Sequence, residues 1–519
     1  MSDAIVLVWT GFIFFAAVFF VTISLAHLFQ KKKIRFDKEF LSALSACLLA
    51  VVLCLSIWPP IHRVYDDEFT YISQSFNILA SGKASVTLKG NRLQPEVSNS
   101  WTTIGRFPGF AWIEAIILFL TKDFEHSYFI LNIILGALSV VMVYRIAWLW
   151  TASLAVAWWT AIFMACLPVR ITYSMSAASD IAGLFFFLLF LLFISEYKTL
   201  QCKRFLYAAL FSGMYSACIK PFLFYGIFVI LGLAVALYIY RRDGLLDKKL
   251  SSQIWVDTFC LLLPILSVIP VMLYSDSKQG LYSFSFMFKN FYTTISYLFN
   301  YKQNTVLTAL FALAALWRSI FYQKDNLVNG LAGWFLMAFL MISAFFAGGI
   351  SYPGDAYSDR YFLFFTFPFV LLAAIGIVNV TSTVQSRSLI GLLFIILVAN
   401  AFIASHNLDA KAKDLFYYKK IPLLKQMMRV IPGKAYVIEE CAALVVAESS
   451  MKSIQTMLFL GGDHPKEVVF LKGIYDFTDP RRTVLVENIL HTEYHCNPLV
   501  ARPFKERDLS ATPYLCIRK

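Results

Sequence analysis

Long apolar runs recur along this chain, and they constrain its fold more than any other feature. Each run approaches the roughly 20 residues that a helix needs to cross the hydrocarbon core of a bilayer. Lipid offers the backbone no hydrogen-bond partner, so a run that lies in lipid has to be helical. Apolar residues make up 59% of the 519 positions and charged residues only 15%, which excludes a soluble globular protein. We therefore predict a polytopic α-helical membrane protein.

The runs predict about twelve membrane-spanning helices. They lie near residues 4–28, 39–60, 127–144, 152–168, 178–195, 205–219, 222–240, 254–274, 303–321, 328–348, 361–379 and 388–405. Residues 109–121 are also apolar, but about 13 helical residues extend only about 20 Å, so we predict an interfacial helix there. Residues 205–240 would form a single helix of about 54 Å, and Lys220 with the following proline divides them into two spans.

The loops between the runs carry a charge asymmetry that orients the chain. The topology puts the basic segments KKKIRFDK (31–38), EYKTLQCKR (196–204) and RRDGLLDKK (241–249) on one side. The positive-inside rule makes that side the cytoplasm. Orientation therefore explains much of the net charge of +13, and nucleic-acid binding is not indicated. The N-terminus, the loop 61–126 and the tail from residue 406 then lie outside.

The chain divides into three parts on this topology. Residues 1–38 form an extra N-terminal transmembrane helix and a basic cytoplasmic loop, and residues 39–405 form the main membrane domain. Residues 406–519 form a small α/β domain, because KAYVIEE and KEVVFLKG have strand character while DLFYYKKIPLLKQMMRV and SSMKSIQTMLFL have helical spacing. An oxidising exterior would allow a disulfide between two of three tail cysteines: Cys441, Cys496 and Cys516.

Three adjacent carboxylates, those of Asp66, Asp67 and Glu68, lie a few residues after the second apolar run. The helix that comes next has an apolar stripe and a polar face, so we expect it to lie flat on the bilayer. Carboxylates favour the positive end of a helix dipole, but one acid would suffice, and three oppose one another's ionisation. A capped interfacial helix and a reactive carboxylate both remain open. The stripe contains Phe69, Ile72, Phe76 and Leu79, and the polar face contains Thr70, Ser73, Gln74 and Asn77.

Other ionisable residues lie at the outer ends of predicted spans. Lys220 interrupts an apolar stretch, which is costly unless the lysine pairs, faces a wet cavity or reaches the surface. Asp180 begins an apolar run, either as a helix cap or as an active-site acid with Arg170 as its partner. In the loop SYPGDAYSDRY, Asp355 and Asp359 either belong to a solvated turn, or they orient Arg360 or bind a cation.

The order of these motifs, all on one side of the membrane, resembles the GT-C superfamily of membrane glycosyltransferases. It is most similar to the branch with aminoarabinose transferase, Rgt-type lipopolysaccharide sugar transferases and protein O-mannosyltransferase relatives. The resemblance covers roughly residues 39–405, and the extra span 4–28 departs from the commonest pattern. It is carried by DDEFTYISQSFNILASGKAS, GRFPGFAWIEAIILFLTKDFEHSYFILNIILGALSVVMVYRIAWL, SMSAASDIAGLFFFLLFL, CIKPFLF and SDRYFLFFTFPFVLLAAIG.

The resemblance implies an inverting enzyme that moves a sugar from a polyprenyl phosphate to an acceptor hydroxyl on the outer face of the membrane. Asp67 would be the general base and Asp66 the next candidate, with crowding by Glu68 raising the pKa of the base. The donor phosphate would bind Lys220, Arg360 and Arg106. An interface anchor at Arg360 and a solvated loop charge at Arg106 remain alternatives. Supporting roles would fall to Asp180, Asp359 and Tyr361.

The implied partners are a polyprenyl-phosphate-linked sugar, membrane lipids and an acceptor that is a glycan, lipid A or a protein. The implied location is the inner membrane of a bacterium, with the active site facing the periplasm. No cofactor is assigned, although so many outer carboxylates are compatible with a divalent cation. A zinc site at His491, His495 and Cys496 lacks a second ligand cluster.

Transport is the main alternative to catalysis. A transporter or lipid flippase usually places ionisable groups near the bilayer midplane, whereas here they cluster at outer span ends. An O-antigen polymerase or ligase would be expected to have its main outer loop late in the chain, and here the acidic loop is early. The interpretation as a histidine-dependent acyltransferase is supported only by the position of His62 before Asp66.

Overall fold

The computed structural model describes most of the chain, with several internal gaps. It covers residues 2–31, 38–63, 65–92, 94–100, 108–123, 126–220, 305–322, 325–345, 363, 366–384, 387–413, 416–439, 444–445, 451–472, 480–506 and 509–519.

A bundle of apolar helices makes up the larger part of the fold. Five of the described helices are long and apolar enough to cross a membrane, and a sixth span is possible if α6 and α7, which are bent by 59° at their junction, count as one. The bundle helices are α1 (Ser2–Lys31), α2 (Lys38–Leu55), α5 (Ser127–Thr151), α6 (Leu154–Ala165), α7 (Pro168–Ser174), α8 (Asp180–Leu200), α9 (Lys203–Ile219), α10 (Thr305–Phe321), α11 (Asn326–Phe345), α12 (Thr366–Val384) and α13 (Arg387–Lys413).

Every predicted span inside the described ranges overlaps one of these helices, and the polytopic helical fold class is confirmed at that level. The predicted spans 222–240 and 254–274 lie outside the described residues, so the count of twelve stays a prediction. The apolar segment 109–121 forms a separate helix, α4 (Gly109–Thr121), between the loop hairpin and α5.

Helix α1 runs alongside α9 and fixes which ends of the bundle lie together. Phe14 packs on Tyr215 with 4.9 Å between ring centroids, and Phe20 stacks on Phe211 at 5.3 Å. Near its start, Thr10 accepts a hydrogen bond from Trp112 of α4 at 3.2 Å. The N-terminal end of α1 therefore lies at the same end of the bundle as the loop 61–126.

The second unit is an eight-stranded sheet with the strand order β2-β1-β4-β3-β5-β8-β6, and β7 pairs with β8 beside this path. Its strands are β1 (Ser85–Gly90), β2 (Pro95–Ser100), β3 (Tyr436–Glu439), β4 (Lys452–Gln455), β5 (Glu467–Lys472), β6 (Tyr494–Pro498), β7 (Phe504–Glu506) and β8 (Leu509–Arg518). The hairpin β1–β2 comes from the first loop, and Lys89 of β1 pairs with Ile454 of β4. One sheet thus joins two segments that are far apart in the chain. The helices beside it are α14 (Phe416–Met428), α15 (Thr456–Leu460) and α16 (Pro480–Glu493).

The tail follows the predicted pattern with one exception. KAYVIEE and KEVVFLKG contain β3 and β5 as predicted, and DLFYYKKIPLLKQMMRV contains α14. The segment SSMKSIQTMLFL, predicted as a helix, instead begins with β4 and turns helical only at α15, because its first half pairs in parallel with β3. Cys496 and Cys516 lie opposite each other on β6 and β8 and form a disulfide, which removes the thiolate from the zinc alternative.

Helix α3 (Tyr65–Ser81) follows the prediction in position but not in setting. The sequence predicts that it lies flat on the bilayer, but its polar face is buried, and within its apolar stripe Leu79 alone is exposed, at 43%. The polar face packs under the loop hairpin, while Phe69, Ile72 and Phe76 pack against apolar side chains of the tail. The hydrophobic period marks which face is apolar, but it does not reveal that other protein segments cover both faces.

Candidate active site

Glu68 is the centre of a buried hydrogen-bond network at the start of α3. Its two carboxylate oxygens accept four hydrogen bonds, and the residue is fully buried. The donors are His62 Nδ1 at 2.7 Å, the Arg63 amide at 2.8 Å, Ser176 Oγ at 2.5 Å and the Ala177 amide at 3.2 Å. Because a buried carboxylate is costly without such donors, the network fixes both the linker before α3 and the loop between α7 and α8.

Asp67 precedes Glu68 in the first turn of the same helix. The residue is buried, with only 4% of its surface exposed. A carboxylate at this position lies in the favourable field of the helix N-terminus. The backbone of Asp66 belongs to the same turn, but its side chain lies outside the described part of the structure.

The loop 175–179 is held from two sides. The Asn132 side-chain amide of α5 donates to the carbonyl oxygens of Ser176 at 2.6 Å and Ala178 at 2.8 Å. The amide of Ile61 donates to the carbonyl oxygen of Met175 at 3.2 Å. The loop leads directly into α8, so the same contacts that fix Glu68 also fix the start of that helix.

Asp180 and Lys220 form a buried ion pair at this end of the bundle, with 3.4 Å between the Asp180 carboxylate and Lys220 Nζ. Asp180 is the first residue of α8, and Lys220 ends α9. The expected pairing of Asp180 with Arg170 is wrong. Arg170 instead donates to the carbonyl oxygen of Ala165 at the end of α6, at 2.7 Å, and to that of Ala50 in α2, at 3.4 Å. It thereby satisfies a backbone group at the break between α6 and α7.

Helix α4 packs closely on the end of α9. The Tyr215 hydroxyl donates to the carbonyl oxygen of Gly109 at 2.6 Å. A Cβ atom at Gly109 would lie 2.5 Å from the carbonyl oxygen of Cys218, so only glycine allows this approach. On its other side, α4 contacts α3 through Phe110 and Tyr71, whose rings meet edge to face at 5.5 Å. Helix α4 therefore connects the helix with the acids to the end of α9 that carries Lys220.

Glu114 is a further fully buried carboxyl group on the same side, besides Glu68 and Asp180, and it is not predicted from the sequence. Neither of its side-chain oxygens has a hydrogen-bond partner among the described residues. Burial, followed by the negative charge of Glu68, raises the pKa of Glu114 well above its usual value. Burial and the nearby Glu68 carboxylate thus both favour the protonated form of the Glu114 side chain.

The polar face of α3 is covered by the loop hairpin. The Asn77 side-chain amide donates to the carbonyl oxygen of Ser85 at 2.6 Å and to Thr87 Oγ1 at 3.1 Å, and Ser73 Oγ accepts from the Thr87 amide at 3.0 Å. These contacts anchor β1 on α3. Because β1 also pairs with β4, the hairpin couples the helix of the acids to the tail sheet.

A buried ion pair makes a second connection to the tail. Arg63 Nη2 lies 2.5 Å from the carboxylate of Asp409 near the end of α13, and both residues are buried. Lys413 lies 2.6 Å from the other oxygen of Asp409. Because the Arg63 amide also donates to Glu68, Arg63 contacts both the start of the tail and the acid turn.

An open cavity of about 350 Å³ adjoins this region. It is lined by Trp58, Pro59 and His62 from the segment before α3 and by Pro422 and Lys425 of α14. His62 is thus both a wall residue of the cavity and a hydrogen-bond donor to Glu68. A small organic group could enter next to the acid turn.

The structure brings together part of the predicted site. Asp67, Glu68, Asp180 and Lys220 lie at one end of the bundle, linked through the loop 175–179. Arg106, Asp359, Arg360 and Tyr361 lie outside the described residues. The sequence analysis missed Ser176, Asn132, Arg63 and Asp409 as members of the network, and only their polarity within or beside apolar runs could have indicated them. No cluster of three His, Cys, Asp or Glu side chains suited to a metal ion occurs in the described ranges.

This chain resembles known proteins in its fold but not in its sequence. No protein-family model matches the sequence, and no curated protein matches it either. Among solved structures, ArnT from Cupriavidus metallidurans in the apo state matches with a TM-score of 0.59 and 10% identity, over 91% of this chain and 97% of that chain. The same protein bound to undecaprenyl phosphate matches with a TM-score of 0.57 and 11% identity, over 92% and 98%. The overall fold of the chain is therefore similar to that of ArnT, and the resemblance predicted from the sequence is confirmed at the level of fold.

Proposed function

We propose that this protein is an inverting glycosyltransferase that moves a sugar from a polyprenyl-phosphate donor to the hydroxyl of a glycan, lipid or protein acceptor. The reaction would take place on the periplasmic face of a bacterial inner membrane. One observation carries the proposal: the acid turn of α3 and the Asp180–Lys220 pair meet at one loop, beside an open cavity. The fold shared with ArnT, which has been solved with undecaprenyl phosphate, supports the donor class.

In the proposed reaction, the Asp67 carboxylate takes the proton of the acceptor hydroxyl as its oxygen attacks the anomeric carbon. The bond from that carbon to the phosphate oxygen breaks, and its electron pair leaves with the polyprenyl phosphate. The attack comes from the side opposite the phosphate and therefore inverts the anomeric centre. Lys220 stabilises the negative charge that develops on the leaving phosphate. Arg106 and Arg360 remain proposed as further phosphate ligands.

Glu68 has a positioning role in this scheme. Its oxygens already accept four hydrogen bonds, so it serves to hold the turn in which Asp67 lies. The buried, low-dielectric surroundings strengthen every charge interaction at the reacting atoms.

The test is a transfer assay with the purified protein in lipid nanodiscs. A panel of radiolabelled polyprenyl-phosphate sugars is supplied with glycan, lipid A and peptide acceptors, and the labelled product is counted. We expect transfer from at least one donor, and a rate lower by about 10² or more in Asp67→Asn, since general-base catalysis contributes on that order. Asp123→Asn, which changes an exposed acid after α4, is the matched control and should keep the wild-type rate.

Two results would contradict the proposal. An unchanged rate in Asp67→Asn would remove this residue from the role of base. The absence of transfer from every donor by the wild-type protein would reject the enzymatic function itself.

A further inference from the structure

A second cavity, of about 180 Å³, lies in the tail between α16 and the sheet. Strands β5, β8 and β6 form its floor, on the side of the sheet opposite to the hairpin edge. It shares no lining residue with the acid turn of α3 or with the larger cavity beside it.

The floor of this cavity is aromatic. Phe470 of β5 and Tyr514 of β8 are opposite each other in the strand register, so their side chains lie on one face of the sheet. The disulfide between Cys496 and Cys516 lies beside them and fixes strand β6 to β8. The floor is thus a rigid surface with aromatic rings.

The rim of the cavity carries three ionisable side chains. Glu487 and His491 are one helical turn apart on α16, so they project from the same face of the helix. Lys472 lies two residues after Phe470 and therefore on the same face of β5. Within the described part of the chain, none of these three side chains makes a hydrogen bond or an ion pair to another residue. Acceptor and donor groups of the rim are thus available to a bound molecule.

The size of the cavity limits the ligand. Its volume equals that of about six molecules of liquid water, at about 30 Å³ each. Pockets for drug-sized ligands start at about 300 Å³, so this one suits a single small ring.

The chemistry of the lining selects among small rings. An aromatic face attracts the positively polarised C–H bonds on the apolar side of a ring. The carboxylate, imidazole and ammonium groups at the rim supply the mixed acceptors and donors that a row of hydroxyls requires. Lys472 and His491 can both donate hydrogen bonds, whereas Glu487 is the one carboxylate in the lining, so a neutral or an acidic ring fits better than a cationic one.

We propose that this cavity binds a single neutral or acidic pyranose of a glycan. The site goes beyond sugar transfer, because it would hold a glycan at a distance from the reacting atoms. Its existence does not depend on Asp67 acting as a base. A weak contact of this kind gains strength when the rest of the same glycan is bound elsewhere on the protein.

Saturation-transfer NMR on the full-length protein tests the proposal. The protein is placed in lipid nanodiscs, because maltoside detergents carry competing sugars. The probes are the methyl glycosides of glucose, mannose, N-acetylglucosamine and galacturonic acid. We expect saturation of at least one probe in the wild-type protein, and a loss of most of that signal in His491→Ala and in Glu487→Gln.

Two controls separate this site from other effects. His495→Ala changes a histidine one residue from Cys496, on the opposite face of β6, and should leave the signal unchanged. Asp67→Asn should also keep it, so failure of the transfer reaction and failure of this site are distinguishable. Both pocket residues are accessible, so their substitution should leave the unfolding temperature near that of wild type. The proposal is overturned if no probe is saturated, if both pocket variants retain the signal, or if His495→Ala loses it equally.

Discussion

Glu68 and Asp67 are neighbours in the chain, yet the fold gives them different surroundings. The oxygens of Glu68 are committed to four donors that hold the linker and the loop 175–179. Asp67 is the preceding residue in the same helical turn, so the hydrogen bonds of Glu68 also hold the backbone of Asp67 in place. A run of carboxylates is therefore explained by division of roles: one acid positions the turn, and another is proposed to accept a proton.

The contributions of the Asp180–Lys220 pair to stability and to sugar transfer can be measured separately. Lys220→Met leaves the Asp180 carboxylate buried without this cation, which should cost about 3–5 kcal/mol of unfolding free energy. The double variant Lys220→Met/Asp180→Leu removes both charges and should recover most of that loss. Thermal unfolding in nanodiscs measures both effects.

Sugar transfer should respond differently from stability. The double variant lacks the ammonium group proposed to bind the leaving phosphate, so it should stay slow although it is stable. A double variant with both normal stability and normal transfer would show that Lys220 only balances Asp180.

At the scale of elements, α3 and α4 show how two short helices depend on their neighbours. The apolar period of α3 is visible in the sequence, but its polar face is satisfied by Ser85 and Thr87 of the hairpin. Helix α4 has the predicted bounds. Its close packing on the end of α9 requires the contact between Gly109 and the backbone of Cys218.

Gly109→Ala tests that contact. The added methyl group would lie 2.5 Å from a backbone carbonyl oxygen, so α4 would have to shift, at a cost of about 1–3 kcal/mol. Gly391→Ala in α13 is the matched control, because no atom lies within 4 Å of its Cβ position. The control should be neutral or gain up to about 1 kcal/mol from better helix propensity. Unfolding temperatures of the two variants give the comparison, and an equal response would exclude close packing as the reason for the glycine.

At the scale of the whole molecule, the sheet fastens the membrane bundle to the tail. Strand β1 lies between β2 and β4, and Lys89 of β1 also pairs with Asp463 at 2.8 Å. Glu96 of β2 accepts hydrogen bonds from Tyr436 and from Lys452 at 3.1 Å. The first loop and the tail therefore form one structural unit around α3.

This junction should loosen in acid. Burial opposes ionisation of Glu96, but the hydrogen bonds from Tyr436 and Lys452 prevail and hold its pKa below the usual 4.5. A carboxylate with a lowered pKa stabilises the folded state fully above its unfolded value, and that contribution is lost as the pH falls through the folded value.

Hydrogen exchange of the amides in β1 and β4 measures the effect. After correction for intrinsic rates, protection should be constant well above pH 4.5 and should decrease as the pH falls below 4.5. Glu96→Gln should show weaker protection with a smaller pH dependence, whereas Glu467→Gln on β5 should behave as wild type. An unaltered pH dependence in Glu96→Gln would assign the effect to another group.

Hydropathy and its period predict the helical membrane bundle, the short helix at Gly109–Thr121 and the placement of Asp67 and Glu68 at a helix start. These features are local, because they depend on residues close together in the chain. The pairing of Lys220 with Asp180, and the addition of first-loop strands to the tail sheet, are evident only in the folded structure. Such pairings depend on contacts between distant segments, which leave no periodic pattern in a single sequence.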